Sequence, residues 1–93
     1  LTIVLEQNSN AKLKISENAL SKLETIAIRV PGHPVAREIL RLCNSPIAAP
    51  SANMSGKLST TRFEDVLTSL SGKVHAIVDG GPCPIGLEST IVN

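Results

Sequence analysis

Tryptophan and tyrosine are absent from this 93-residue sequence, and Phe63 is its only aromatic residue. Whatever core it builds must therefore be aliphatic. Charge of either sign is also scarce: the formal net charge is +1, with 9 Lys and Arg against 8 Asp and Glu. No field of that size argues for a nucleic-acid or membrane partner. The apolar runs fall far short of a bilayer span, and the start does not read as a basic, apolar, cleavable signal, so a soluble, cytoplasmic protein is expected. The two cysteines, Cys43 and Cys83, have neither a metal-ligand spacing nor the density of a disulfide framework, and are expected as reduced thiols. Residue 1 is not Met, and the sequence reads as an excerpt from a longer chain. At 42% hydrophobic content it can bury one modest core, so one domain or part of one is expected.

Familiar catalytic patterns are missing too. His33 and His75 are the only imidazoles, one beside a turn and one opening an apolar run next to Lys73. No Gly-x-Ser-x-Gly elbow surrounds Ser51, and Gly56-Lys57 lacks the preceding glycine and the following hydroxyl of a nucleotide-triphosphate P-loop. Covalent catalysis by a nucleophile and base finds no support.

What is present is a succession of strand and helix signals. Leu1 to Leu5 is a short β-rich run, Glu6 to Lys12 a polar connection, and Leu13 to Ile15 a weak second strand. Asn18 to Leu23 has room for little more than one helical turn. Thr25 to Val30 puts Ile26, Ile28 and Val30 on one face and Thr25, Ala27 and Arg29 on the other, the period of a strand. After the turn Pro31-Gly32-His33-Pro34, a helix runs from Pro34 to Leu42 or Cys43, with Val35, Ile39, Leu42 and Cys43 on its apolar stripe. Pro46 to Pro50 is expected as a short buried strand. A second helix starts near Thr61, where Thr61 and Glu64 have capping-box spacing, and ends at Gly72. His75 to Asp79 reads as a buried strand, Asp79 to Pro82 as a turn, and Ser89 to Val92 as a last strand. Alternating strands and helices predict an α/β sheet covered by helices, with ligands at strand ends.

Three segments carry functional signals. The small-residue loop Ala49-Pro50-Ser51-Ala52-Asn53-Met54-Ser55-Gly56 lets a ligand approach its backbone and adds hydroxyl and amide donors, which points to an anion, a nucleotide foremost. Arg29 is either a solvated edge residue or, if its face lines a pocket, a bidentate grip for a carboxylate. Glu88-Ser89-Thr90 offers hydroxyls after Gly86, as a site or as plain strand edge.

Taken in order, Thr25 to Pro34, Ala49 to Gly56 and Asp79 to Val92 resemble consecutive signatures of the YrdC-like threonylcarbamoyl-AMP synthases. The resemblance covers nearly the whole chain. It implies a twisted mixed sheet with covering helices, with residues 1–93 forming the C-terminal part of a single YrdC-like domain that is incomplete here. The implied reaction joins L-threonine, bicarbonate and ATP into threonylcarbamoyl-AMP and releases pyrophosphate. The product feeds a tRNA threonylcarbamoyl-transfer complex.

Carried over by position, Arg29, the backbone at Ala49 and Ser89 bind threonine, while Thr25, Ser51, Asn53 and Ser59 bind ATP. Mg²⁺ is expected with the triphosphate, but its ligands stay unassigned, with Asp79 and Glu88 as candidates only. The family's Pro-Thr-Glu-Thr segment, its Lys-x-Arg pair and a later Arg have no counterpart here, so this polypeptide by itself is expected to be inactive. Two other readings accompany the resemblance. One is a module that binds double-stranded RNA, tRNA or a nucleotide without catalysis. The other is a hydrogenase-maturation carbamoyltransferase, whose acylphosphatase and zinc-finger segments leave no trace in the sequence.

Overall fold

The computed structural model describes residues 1–8, 10–11, 15–20 and 22–93. Three strands and three helices follow one another: β1 (Thr2–Glu6), α1 (Glu17–Leu20), β2 (Thr25–Arg29), α2 (Pro34–Cys43), α3 (Phe63–Leu70) and β3 (Ile91–Val92). The strands form one mixed sheet in the order β2-β1-β3. The chain divides into two compact units, one comprising Leu1–Arg37 with Glu88–Asn93 and the other Glu38–Leu87.

In the first unit β1 runs antiparallel to β2, pairing Thr2 with Arg29, Val4 with Ala27 and Glu6 with Thr25. It runs parallel to β3, pairing Thr2 with Ile91 and Ile3 with Val92. Paired residues share a face, so the register sorts the sheet into two chemically distinct sides. Ile3, Leu5, Ile26, Ile28 and Val92 form an apolar side, and Thr2, Thr25, Ala27 and Arg29 fall on the other with Val4 and Ile91. The alternation expected for Thr25 to Val30 is realised over Thr25–Arg29, and Val30 lies beyond the strand.

Polar side chains finish the ends of these elements. The Ser16 hydroxyl accepts the amide of Asn18 at 3.3 Å, a helix cap for α1. Gln7 extends the β1–β2 pairing, its amide N–H donating to the Glu24 carbonyl at 3.0 Å and its side-chain Nε2 to the Leu23 carbonyl at 2.7 Å. Leu20 on α1 is the one buried hydrophobic among the described residues. Of the segment Leu13 to Ile15, Leu13 and Lys14 lie outside the described residues, and Ile15 is not in a strand.

The boundary between the units falls within α2, whose extent matches expectation. Asn44 stops it with φ of 48°, its amide donating to the Leu40 carbonyl at 3.1 Å. Asparagine is, after glycine, the residue that tolerates this left-handed closing position best.

The second unit corrects two expected strands. Pro46 to Pro50 and His75 to Asp79 are irregular, and apart from half-buried Ile77 they are exposed. Prolines at both ends of the first segment remove ladder donors. Neither segment has a partner, because the described residues of this unit contain no strand and an unpaired extended backbone gains no ladder bonds. The Ser-rich loop therefore does not emerge from a strand end.

Helix α3 also starts later than expected. Arg62, not Thr61, takes the cap position, with φ −132° and ψ 150° and no side-chain cap hydrogen bond. Thr61 serves elsewhere, its carbonyl accepting the Cys83 amide at 2.8 Å. Glu64 and Asp65 in the first turn offset the helix dipole where a capping box was expected. The predicted stop at Gly72 holds: it has φ of 75°, with the Ser71 amide closing on the Leu67 carbonyl at 3.0 Å just before it.

Candidate substrate-binding site

The sheet positions the first group of candidate residues. Thr25 and Arg29 lie four residues apart on one strand and so point to the same side, about 13 Å apart along it at strand rise. Arg29 sits at the end of β2, where its long side chain can cross the central strand. It does so: Nη1 donates to Ser89 Oγ at 3.2 Å, joining residues that are 60 positions apart in sequence. The Thr2 amide donates to the Thr90 carbonyl at 2.9 Å, extending the β1–β3 pairing to the residue beside Ser89. Backbone ladders thus fix both ends of the Arg29–Ser89 contact.

The contact leaves useful valences open. A guanidinium carries five N–H donors, and a serine hydroxyl that accepts one bond still has a proton to donate. Arg29 is exposed and Ser89 half-buried, so solvent or a ligand can reach the remaining guanidinium edge. Such an edge is suited to a carboxylate or phosphate.

At the other end of β2, Thr25 lines a shallow hollow with Glu6, Gln7, Leu23 and Glu24. With two acidic residues in its lining, this hollow is better suited to a group that donates hydrogen bonds than to a phosphate.

The second group, Ala49, Ser51, Asn53 and Ser59, belongs to the second unit. Here no ladder sets the backbone; side chains do. The Asn53 Nδ2 donates to the carbonyls of Met54 and Lys57, each at 2.9 Å. The Lys57 amide closes a turn on the Met54 carbonyl at 3.0 Å. Gly56 takes φ of 78° within that turn, which a side chain would resist. Thr60 Oγ1 donates to the Ala52 carbonyl at 3.0 Å. Both Asn53 donors are spent on its own loop, and its Oδ1 is buried without a partner. Asn53 therefore acts on the loop and not as a free donor to a ligand, while Ser51, Ser59 and Ala49 are exposed.

Sequence reasoning missed Thr60. The signal was available in principle, since a threonine closing a small-residue loop is a common side-chain-to-backbone staple.

Among the described residues there is no group of three or more His, Cys, Asp or Glu side chains able to hold an ion. Asp79 Oδ1 accepts the Gly81 amide at 2.9 Å and organises its own turn. Both cysteines are free and exposed. A second hollow, lined by Arg62, Phe63, Glu64, Asp79, Gly81 and Pro82, includes none of the residues expected to bind threonine or ATP. No described helix is long and apolar enough to cross a membrane.

Comparison with known proteins places these features in context. The Sua5/YciO/YrdC family model, whose description reads telomere recombination, matches residues 1–93. Over all 93 residues the sequence is 47% identical to the threonylcarbamoyl-AMP synthase of Bacillus subtilis (strain 168), covering 26% of that protein. It is 42% identical to the threonylcarbamoyl-AMP synthase of Schizosaccharomyces pombe, covering 23% of it. The chain thus spans only a minor part of the length of these curated relatives. Among solved structures it is similar to P. abyssi Sua5 complexed with L-threonine, at 40% identity and a TM-score of 0.87, over 97% of this chain and 25% of that one.

Proposed function

Given that the chain belongs to the Sua5/YciO/YrdC family, we propose that the natural polypeptide carrying it is a threonylcarbamoyl-AMP synthase acting on L-threonine, bicarbonate and ATP. The observation that carries this reading is the Arg29–Ser89 contact at 3.2 Å. It pairs a guanidinium with a hydroxyl across one end of the sheet, and a relative of the same fold is complexed with L-threonine.

In this reading the threonine carboxylate takes the free edge of Arg29, and the Ser89 hydroxyl donates its remaining proton to the same carboxylate. Charge-assisted bonds of this kind are about twice as strong as neutral ones, and the fixed fork orients the amino acid. The threonine amine attacks bicarbonate to give a carbamate with loss of water. A carbamate oxygen then attacks the α-phosphorus of ATP, and the bond to the β-phosphate oxygen breaks to release pyrophosphate. Neither step requires a protein nucleophile, in keeping with the absence of a nucleophile–base pair; positioning and charge neutralisation do the work.

Ser51 and Ser59 hold the nucleotide through its phosphates or ribose. Mg²⁺ enters with ATP as part of the substrate, and no residue of this chain is assigned to it. The product's destination is the tRNA threonylcarbamoyl-transfer machinery. The modest net charge gives no separate support to a purely RNA-binding role.

The test is calorimetric titration of the intact natural protein with threonine and with ATP, for wild type, Arg29→Ala and Ser51→Ala. The reading requires that Arg29→Ala lose threonine and Ser51→Ala lose affinity for ATP. An intact wild-type protein that takes up no threonine overturns it.

A further inference from the structure

The second unit holds its loop by two side chains whose bonds lie between the two serines assigned to ATP. We infer that Thr60 is a positioning residue that sets Ser51 and Ser59 side by side for one nucleotide. This inference rests on the proposed function, because it presumes that the two serines bind ATP.

The geometry is specific. Thr60 Oγ1 donates to the carbonyl of Ala52 at 3.0 Å, bridging eight positions of sequence. Ser59 is the residue before Thr60 and Ser51 the residue before Ala52, so each serine is one peptide step of about 3.8 Å from a bonded partner. Without the bond, the seven residues between Ala52 and Thr60 form an open loop, and bringing its ends together costs chain entropy. Inside the closed loop, the Asn53 amide bonds the carbonyls of Met54 and Lys57 and so braces the tip. Neither side chain has to touch the nucleotide to matter. Thr60 gives its proton to Ala52, and both Asn53 donors are spent.

The experiment uses the intact natural protein and measures steady-state KM for ATP and for threonine, with ATP affinity by calorimetry, in Thr60→Val and Thr60→Ser. Valine keeps the shape of threonine and removes the hydroxyl; serine restores it. The expected result is a rise of about three- to tenfold in KM and Kd for ATP in Thr60→Val, the scale of one net hydrogen bond. KM for threonine stays unchanged, and Thr60→Ser returns to wild-type values. A general loss of folding would move both KM values or the active fraction alone, so a rise in both overturns the positioning role. So does an ATP affinity in Thr60→Val equal to wild type, or a failure of Thr60→Ser to restore it. If wild type binds no ATP, the synthase reading itself falls, an outcome separate from wild type and Thr60→Val binding ATP equally.

Discussion

The two units solve the same problem, holding polar side chains where a ligand can meet them, by different means. In the first, the sheet does it: register places Thr25 and Arg29 on one side, and the bonds between β1 and the start of β3 bring Ser89 within reach of Arg29. In the second, side chains do it, with Asn53 and Thr60 substituting for a missing ladder. Ladder-set geometry is redundant, because many backbone bonds share the task. Staple-set geometry depends on one or two hydroxyl or amide groups. Single substitutions of ligand-facing residues should therefore dominate in the sheet, and substitutions of residues that face no ligand should matter in the loop.

The largest effect expected is on the sheet side. Arg29→Ala removes the charged fork, and threonine affinity should fall on the order of a hundredfold or more while the thermal midpoint barely moves, since Arg29 is exposed. Arg29→Lys should not restore binding, because an ammonium is a point charge without the planar pair of donors. Titration of threonine into each variant checks both, and a lysine variant that binds like wild type would falsify the bidentate reading.

Next comes Asn53→Asp, which sharpens the comparison from the loop side. It keeps the side-chain shape but sets a carboxylate oxygen against the Met54 and Lys57 carbonyls where two N–H donors stood. Two donor bonds become two repulsions, worth about 1–3 kcal/mol or more with the desolvation of the new charge. ATP affinity should drop about tenfold, with threonine affinity preserved. Differential titration of threonine and ATP would expose an error if both affinities fell together.

Ser89→Ala is expected to be milder, since Arg29 keeps its ladder position without its hydroxyl partner. A loss of about three- to tenfold in threonine affinity corresponds to one hydrogen bond. Loss as complete as that of Arg29→Ala would mean that Ser89, and not the sheet, holds the guanidinium in place.

How much of this was legible in the sequence follows the same division. β1, β2 and α2 were readable because their signals are local: a two-residue alternation, Pro34 at a helix start and a helical apolar stripe. Pro46 to Pro50 and His75 to Asp79 looked like strands because apolar content is local, whereas the partner that makes a strand is not. Thr61 looked like a cap because its spacing to Glu64 fits, but the Cys83 amide claims the Thr61 carbonyl from 22 positions away. Arg29 and Ser89 are a long-range pair, and only the ordered family motifs suggested that they act together. That the Asn53 amide N–H groups bond the carbonyls of its own loop was not legible, because it rests on which atoms the amide faces.

The smallest effect is expected where neither device operates. On α2 the Glu38 carboxylate accepts two bonds from the Arg41 guanidinium, at 2.9 and 2.6 Å. That hydrogen-bonded guanidinium lowers the Glu38 pKa from its ordinary value of 4.5. A carboxylate whose folded pKa is depressed adds stability above its unfolded pKa and loses it as pH falls through the lowered folded value, so any contribution belongs to neutral pH and fades in acid. Both side chains are widely exposed, at 68% and 55%, and water and salt screen such a pair. Glu38→Gln should therefore leave the thermal midpoint within about one degree of wild type at pH 7 and differ less still in acid, at pH 3. Melting curves at the two pH values decide it. A larger drop at pH 7 that vanished in acid would mean that this helix surface is covered in the intact protein, where the pair would be shielded from solvent.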